Sequence, residues 1–214
     1  LTFTSKNGGS YSNATRAIQH RGYGAPSITH KDVDAFEMAS TANAFDFGDI
    51  VSAAQYGGGG LASPTRGIIH IAYNGSTTNT IEFCTISTTG SFQDFGDATT
   101  TLNNVRSGTG GSSTRGVSMG GGDSYTDVCS FLTIATTGNT TEFGELTTGK
   151  SYSNAVSDRI TCMMAGGQLA PGGTVTNQID SLSIATGGTA VDSGDLTVTK
   201  RENSAASNAH GGLG

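Results

Sequence analysis

Tryptophan is absent from this 214-residue chain, proline and cysteine occur three times each, and only 13% of the residues are charged. Each shortage excludes something. The cysteines, Cys84, Cys129 and Cys162, are odd in number, sit in apolar surroundings and form no CxxC pair, which argues against a disulfide framework and a structural zinc site. They are expected to be buried free thiols, in keeping with folding in a reducing cytosol. Net charge is −6, the isoelectric point is near 5.0, and no basic run occurs. A surface that holds nucleic acid through its phosphates needs clustered lysine and arginine, so no nucleic-acid partner is expected. No stretch approaches the roughly 18 apolar residues of a membrane-spanning helix, and no window joins helical periodicity to strong helix formers. The 34% hydrophobic content is low enough to raise disorder as an alternative, but the regular placement of Ile, Val, Phe and Met argues for ordered β structure.

What the chain has in quantity is glycine, 33 residues, and repetition. Asp46-Phe47-Gly48-Asp49, Asp94-Phe95-Gly96-Asp97, Glu142-Phe143-Gly144-Glu145 and Asp192-Ser193-Gly194-Asp195 follow one another with their glycines 48, 48 and 50 residues apart. Apolar residues precede each motif at fixed distances: Val33 and Met38, Ile81 and Ile86, Cys129 and Ile134, Ile179 and Ile184. Segments such as Ile81–Gly90, Cys129–Gly138 and Ile179–Gly188 are β-branched and end in Thr/Gly clusters, which predicts a strand closed by a tight turn in each repeat. A second half-repeat opens on Leu-Thr (Leu1-Thr2, Leu146-Thr147, Leu196-Thr197), continues through Thr15-Arg16, Thr65-Arg66, Thr114-Arg115 or Asp158-Arg159, and ends in an apolar run with paired glycines. His210 stands where the last arginine is expected.

A unit of this length cannot enclose its own apolar surface, so neighbours must stack. The expected architecture is all-β, a β-propeller of about four or five four-stranded blades, with an open β-solenoid as the alternative. One repeat domain is expected over residues 1–214, with units near 1–49, 50–97, 98–145 and 146–195 and a half-repeat at 196–214. The chain begins and ends in the same half and lacks an initiator Met, so a fragment or processed product, an open array, or a ring closed with overlap are all compatible with it. Phe47, Phe95 and Phe143 are expected in the core against Ile86, Ile134 and Ile184.

The acidic motifs could in principle hold Ca²⁺, but two carboxylates separated by Phe and Gly are a poor ligand set, and no metal is expected. Their carboxylates are better suited to fixing the turn, and arginine is the natural partner. The expected contacts pair Asp49 with Arg66, Asp97 with Arg115, Glu145 with Arg159 and Asp195 with His210; an arginine row gripping an anionic glycan is the alternative. His20, His30, His70 and His210 are scattered, no HExxH or GxSxG occurs, and Gly57–Gly60 lacks the Lys-Ser/Thr of a phosphate loop, so neither enzymatic activity nor a cofactor is expected. Three N-glycosylation sequons, at Asn13, Asn74 and Asn139, are what chance gives a chain this rich in Ser, Thr and Asn.

The phrases Ile134-Ala135-Thr136-Thr137-Gly138-Asn139-Thr140-Thr141-Glu142-Phe143-Gly144-Glu145-Leu146-Thr147 and Ser112-Ser113-Thr114-Arg115-Gly116-Val117-Ser118-Met119-Gly120-Gly121 closely resemble the repeats of kelch-like tail-fibre and other virion structural proteins of marine and cyanobacterial phages. The resemblance covers essentially the whole chain. It implies a particle component assembled in the host cytoplasm, an appendage or surface fibre that contacts other virion proteins or copies of itself. The alternative function is a lectin-like adhesin for host-surface glycans. Sugar sites need aromatic platforms, and Tyr23, Tyr56, Tyr73 and Tyr125 are the candidates, with Tyr23, Tyr73 and Tyr125 carried as possible glycan contacts.

Overall fold

The computed structural model describes residues 1–3, 8–24, 29–54, 56–102, 108–122, 124–170 and 173–206. Among them there is no helix; strands joined by short turns account for the regular structure. The first sheet is a meander of β1 (Ser10–Ser12), β2 (Arg16–His20), β3 (His30–Glu37) and β4 (Phe45–Ala54). The second repeats it with β5 (Tyr56–Ala62), β6 (Arg66–Tyr73), β7 (Thr78–Thr85) and β8 (Gln93–Leu102). The third uses β9 (Gly108–Gly111), β10 (Arg115–Gly121), β11 (Thr126–Thr133) and β12 (Thr141–Glu145). Further along come β13 (Lys150–Ser151), β14 (Asn154–Ser157), β15 (Thr161–Ala165), β16 (Gln168–Leu169), β17 (Thr174–Val175), β18 (Gln178–Ser183), β19 (Gly188–Thr189) and β20 (Val191–Asp195). Of these, β14, β15, β18 and β20 form the fourth four-stranded sheet, β13, β16 and β17 a small side sheet, and β19 a parallel edge on β12.

The chain divides into two compact units, Leu1–Val105 with Ile134–Asn139, and Arg106–Thr133 with Thr140–Gly214. In the first, Ile18, Val33, Phe47, Ile50, Ile69, Ile71, Ile86 and Phe92 share one buried cluster with Tyr11 and Cys84. In the second, Val117, Met119, Cys129, Leu146, Cys162, Met164, Leu182 and Ile184 form another. All three cysteines are free and buried. Burial pushes the thiols up, to about 11 for Cys84 and about 12 for Cys129 and Cys162, which leaves them protonated and unreactive.

The acidic motif is a β-bulge. Val33 faces Gly48 while Asp34 faces Asp46, so Phe47 is the extra residue; Phe95 and Phe143 are skipped in the same way, and the fourth sheet has its irregularity at the matching place beside Ser193. The first carboxylate caps the bulge, accepting the amide two residues on: Gly48 to Asp46, Gly96 to Asp94, Gly194 to Asp192, at 2.9–3.1 Å. The extra residue turns inward at the first two bulges, where Phe47 and Phe95 are buried. Phe143 is only half-buried and Ser193 is exposed, so the expected core role fades along the array. Met38 differs from its counterparts in the repeat: Ile86, Ile134 and Ile184 are buried, but Met38 is 53% exposed. Its amide still bonds Thr15 as that of Ile86 bonds Thr65. Ile86 shares a buried cluster with the bulge Phe47 of the preceding sheet, a cluster to which Met38 does not belong among the described residues.

Candidate functional site

The conserved chemistry of the repeat is spent on joining one repeat to the next, and three fasteners do this. The first is made of main chain. Gly90 donates to the Phe47 carbonyl and Phe92 to that of Asp49, and Gly138 donates to Phe95 and Ala190 to Glu145, at 2.7–2.8 Å. The glycine of each of the first three acidic motifs is needed for this approach. A Cβ on Gly48 would lie 2.7 Å from the Gly90 carbonyl, and one on Gly96 2.5 Å from that of Gly138. Both have φ near +140°, which also favours glycine.

The second fastener is the arginine, and its partner is not the one expected. Arg16, Arg66 and Arg115 each open the second strand of a sheet, and each sends Nη1 to the carbonyl of an isoleucine about seventy residues on: Ile86 at 2.8 Å, Ile134 at 3.0 Å and Ile184 at 2.8 Å. Arg115 also reaches the Ala185 carbonyl at 2.8 Å. Each guanidinium lies over an aromatic ring, 4.6 Å from Phe83 for Arg66, 4.2 Å from Phe131 for Arg115 and 5.4 Å from Phe45 for Arg16. Phe83 and Phe131 are equivalent, but the first sheet has Ala35 there and carries the aromatic on its cross-strand partner, Phe45. The platform has moved one strand over and still serves the same cation.

The proposed pairing of Asp49 with Arg66 is therefore corrected: the guanidinium is taken up by a carbonyl and a ring, because a planar donor fork stacked on an aromatic satisfies a half-buried cation without burying a carboxylate. Asp49 remains exposed, and its main chain makes the inter-repeat bond. Arg115 is likewise engaged by carbonyls and Phe131 and not by Asp97, whose amide donates to Asn139 Oδ1 at 3.0 Å. Arg159 is not the fourth arginine of the series. The turn register aligns Asn13, Ser63, Ser112 and Asp158, each of whose side-chain oxygen accepts the amides two and three residues on. Those amides hold the Asp158 carboxyl below the usual carboxylate range. Counting three from Asp158 puts Thr161 in the arginine's place, with Arg159 exposed in the turn. Of the last predicted pair, Asp195 is exposed at the end of β20 and His210 lies outside the described residues. Of Arg16, Arg66 and Arg115, it is Arg16 that meets an acid among the described residues, Glu37 at 2.7 Å across the strand.

The third fastener was missed in the sequence. One residue beyond Val33, Ile81, Cys129 and Ile179 lie Asp34, Glu82, Ser130 and Asp180, all buried on the third strand of their sheets. The segments leading into the first, second and fourth sheets supply donors to the three acids. Thr2 gives its amide and hydroxyl to Asp34 at 2.5 and 2.6 Å. The amides of Val51 and Ser52 take the two oxygens of Glu82 at 2.7 and 2.8 Å. Thr147 Oγ1 donates to Asp180 at 2.7 Å, and Lys150 Nζ lies 2.9 Å from its other oxygen. The Leu-Thr opening of the repeat is thus the donor half of a buried contact. An acid in three of four equivalent positions, in a chain so poor in charge, was the available signal.

The tyrosines do not converge on one place. Tyr23 and Tyr73 are half-buried in the first unit. Tyr125 belongs to the second, where it stacks on Tyr152 with ring centroids 6.2 Å apart and planes 23° from parallel. Both have left-handed backbone, φ 53° and 61°. Tyr11 is a core residue with its hydroxyl 3.9 Å from Cys84 Sγ. Among the described residues no group of three or more His, Cys, Asp or Glu is arranged to hold a metal ion. No family model matches this chain, and no curated protein is similar to it.

Proposed function

We propose that this chain is a non-enzymatic structural protein of a phage particle, a tail fibre, appendage or surface decoration, built as a β-propeller of about four or five blades. The observation that carries the reading is the arginine fastener: three equivalent cations, in a chain with eleven Lys and Arg in all, are turned inward to hold successive repeats together. A scaffold that must transmit force without unravelling needs such contacts, whereas a binding row would leave its cations facing out. The four successive four-stranded meanders and the phage-like wording of the repeats support it further. Mass spectrometry and immunogold labelling of purified particles from the phage that encodes the chain test the assignment. Labelling of one appendage is expected; particles free of the chain would sink it. Small-angle scattering of the isolated chain separates a closed disc from the rod of a solenoid.

The stacked Tyr125–Tyr152 pair favours a second reading, a glycan-binding adhesin. Strained non-glycine backbone at a half-buried aromatic pair is the kind of feature that binding sites maintain. Binding on a glycan array that is lost with Tyr125→Ala, with the melting temperature unchanged, would move the assignment to that reading.

A further inference from the structure

The hairpin turn between β6 and β7 carries the pair Asn74-Gly75. Tyr73 and Thr77 form the last bridge of the hairpin, and Asn74, Gly75 and Ser76 beyond it are exposed. The Asn74 side chain nevertheless turns back on its own main chain. Its Oδ1 accepts the Ser76 amide at 3.4 Å and the Ser76 hydroxyl at 3.3 Å. The ring closed by the amide contact contains both the Asn74 Cγ and the Gly75 nitrogen, so the carboxamide is folded over the peptide bond that follows it.

Nothing restrains an attack of that nitrogen on Cγ. Gly75 has no side chain to block the approach, and nothing lies within 4 Å of where a Cβ would stand. Its N–H makes no hydrogen bond among the described residues, and neither does the Asn74 Nδ2, which is free to leave. The two Ser76 donors meet the oxygen on which negative charge develops during attack, which lowers the barrier. Asn13 supplies the comparison within the chain. Its Oδ1 accepts the Thr15 amide at 2.9 Å and the Thr15 hydroxyl at 3.2 Å, the same arrangement, but Ala14 follows it and its Nδ2 is tied to the Pro64 carbonyl at 3.0 Å. Asn154 is disabled differently, because its Oδ1 holds the amide of Ala155, the nucleophile that would attack.

We propose that Asn74-Gly75 is a self-modifying site. The Gly75 nitrogen bonds to Asn74 Cγ and gives its proton to solvent, the bond from Cγ to Nδ2 breaks, and the amine takes up a proton and leaves as ammonia. The product is a cyclic succinimide. Water then opens it at either carbonyl and yields aspartate or isoaspartate, and no step oxidises or reduces anything. The change puts a negative charge into a turn, residues 73–78, that holds no charged residue, and isoaspartate also lengthens the turn's main chain by a carbon. The inference is independent of the virion assignment, because it needs only the folded chain and water.

Peptide mapping by mass spectrometry of the full chain, held in neutral buffer and sampled over time, tests it. Asn74 should exchange its amine for a hydroxyl at least about tenfold faster than Asn13, with isoaspartate among the products. Asn7-Gly8, whose asparagine lies outside the described residues, is read on its own peptide. Gly75→Ala should slow the reaction at Asn74 at least about tenfold, and Ser76→Ala, which keeps the amide donor and loses the hydroxyl, severalfold. The folded chain should react at least as fast as an isolated peptide of residues 73–79. An Asn74 that stays intact or reacts no faster than Asn13, a rate that ignores Ser76→Ala, or a folded chain slower than the peptide overturns the proposal.

Discussion

Lys150 and Asp180 form an ion pair 2.9 Å long with neither side chain exposed to solvent. The carboxylate keeps a second donor, the Thr147 hydroxyl, and the ammonium lies 3.4 Å from the Gln178 carbonyl, so both ions are partly resolvated by the protein. Such a pair contributes little net stability when intact, because desolvation offsets attraction. Breaking one half is another matter. Lys150→Met should cost about 3–5 kcal/mol by leaving a bare buried carboxylate, and adding Asp180→Leu should recover most of that loss. Denaturant unfolding of the two variants checks both steps.

His20 and His70 are each the fifth residue of their strand, β2 and β6, and both are buried. His20 Nε2 accepts the amide of Gly9, but neither ring nitrogen of His70 has a partner among the described residues. Burial lowers them to about 3 for His20 and about 4 for His70, from an ordinary 6.5. Their folded forms resist protonation and the unfolded chain does not, so stability is complete above pH about 6.5 and falls as pH drops towards those lower values. The slope is about 1 kcal/mol per pH unit for each histidine. Glu82, pushed up by burial, acts in the opposite sense. Chemical denaturation of His70→Leu between pH 7 and about 4 should therefore show a shallower decline than the parent chain.

Coupling energies separate the arginine's real partner from the expected one. A double-mutant cycle on Arg66 and Phe83, 4.6 Å apart, should give about 0.5–1.5 kcal/mol, and one on Arg66 and Asp49 a value near zero. Equal couplings in the two cycles would contradict the observed geometry.

The periodicity of the sequence made the repeat, its strands and the special place of Phe-Gly legible, because a bulge puts an extra residue and a glycine at the same place in every copy, with Ser193 standing for Phe in the fourth. The partners were not legible. Arg66 and Arg115 bond to main-chain carbonyls, which every residue possesses, so no side-chain pattern marks the recipient. Ile179-Asp180-Ser181 looks like ordinary alternation with the acid facing water, and only tertiary packing inverts it. Arg159 misled for a simpler reason: the turn at Asp158 begins one residue before that arginine, which moved it two positions out of register with Arg115.

Phe95 is 2% exposed and meets Phe83 edge to face at 5.9 Å. Phe95→Ala should open a cavity costing about 3–5 kcal/mol. Phe143→Ala, at the half-buried third bulge, should cost clearly less, and Ser193→Ala at the exposed fourth almost nothing. Thermal or denaturant unfolding gives the ranking, and a flat series would show that the bulge residue does not anchor the core.

Gly96 and Gly194 occupy the same bulge position in different sheets, with φ of 140° and 112°. Alanine strains the backbone at both, a cost of about 1 kcal/mol or somewhat more. At Gly194 nothing lies within 4 Å of the added methyl, so backbone strain is the whole effect. At Gly96 the methyl would stand 2.5 Å from the Gly138 carbonyl, whose residue also donates the 2.7 Å bond to Phe95. Gly96→Ala must therefore push the two segments apart and break a main-chain fastener, for a total of at least about 3 kcal/mol. Hydrogen exchange locates the damage: the Gly138 amide should lose protection in Gly96→Ala, while Gly194→Ala leaves it unchanged.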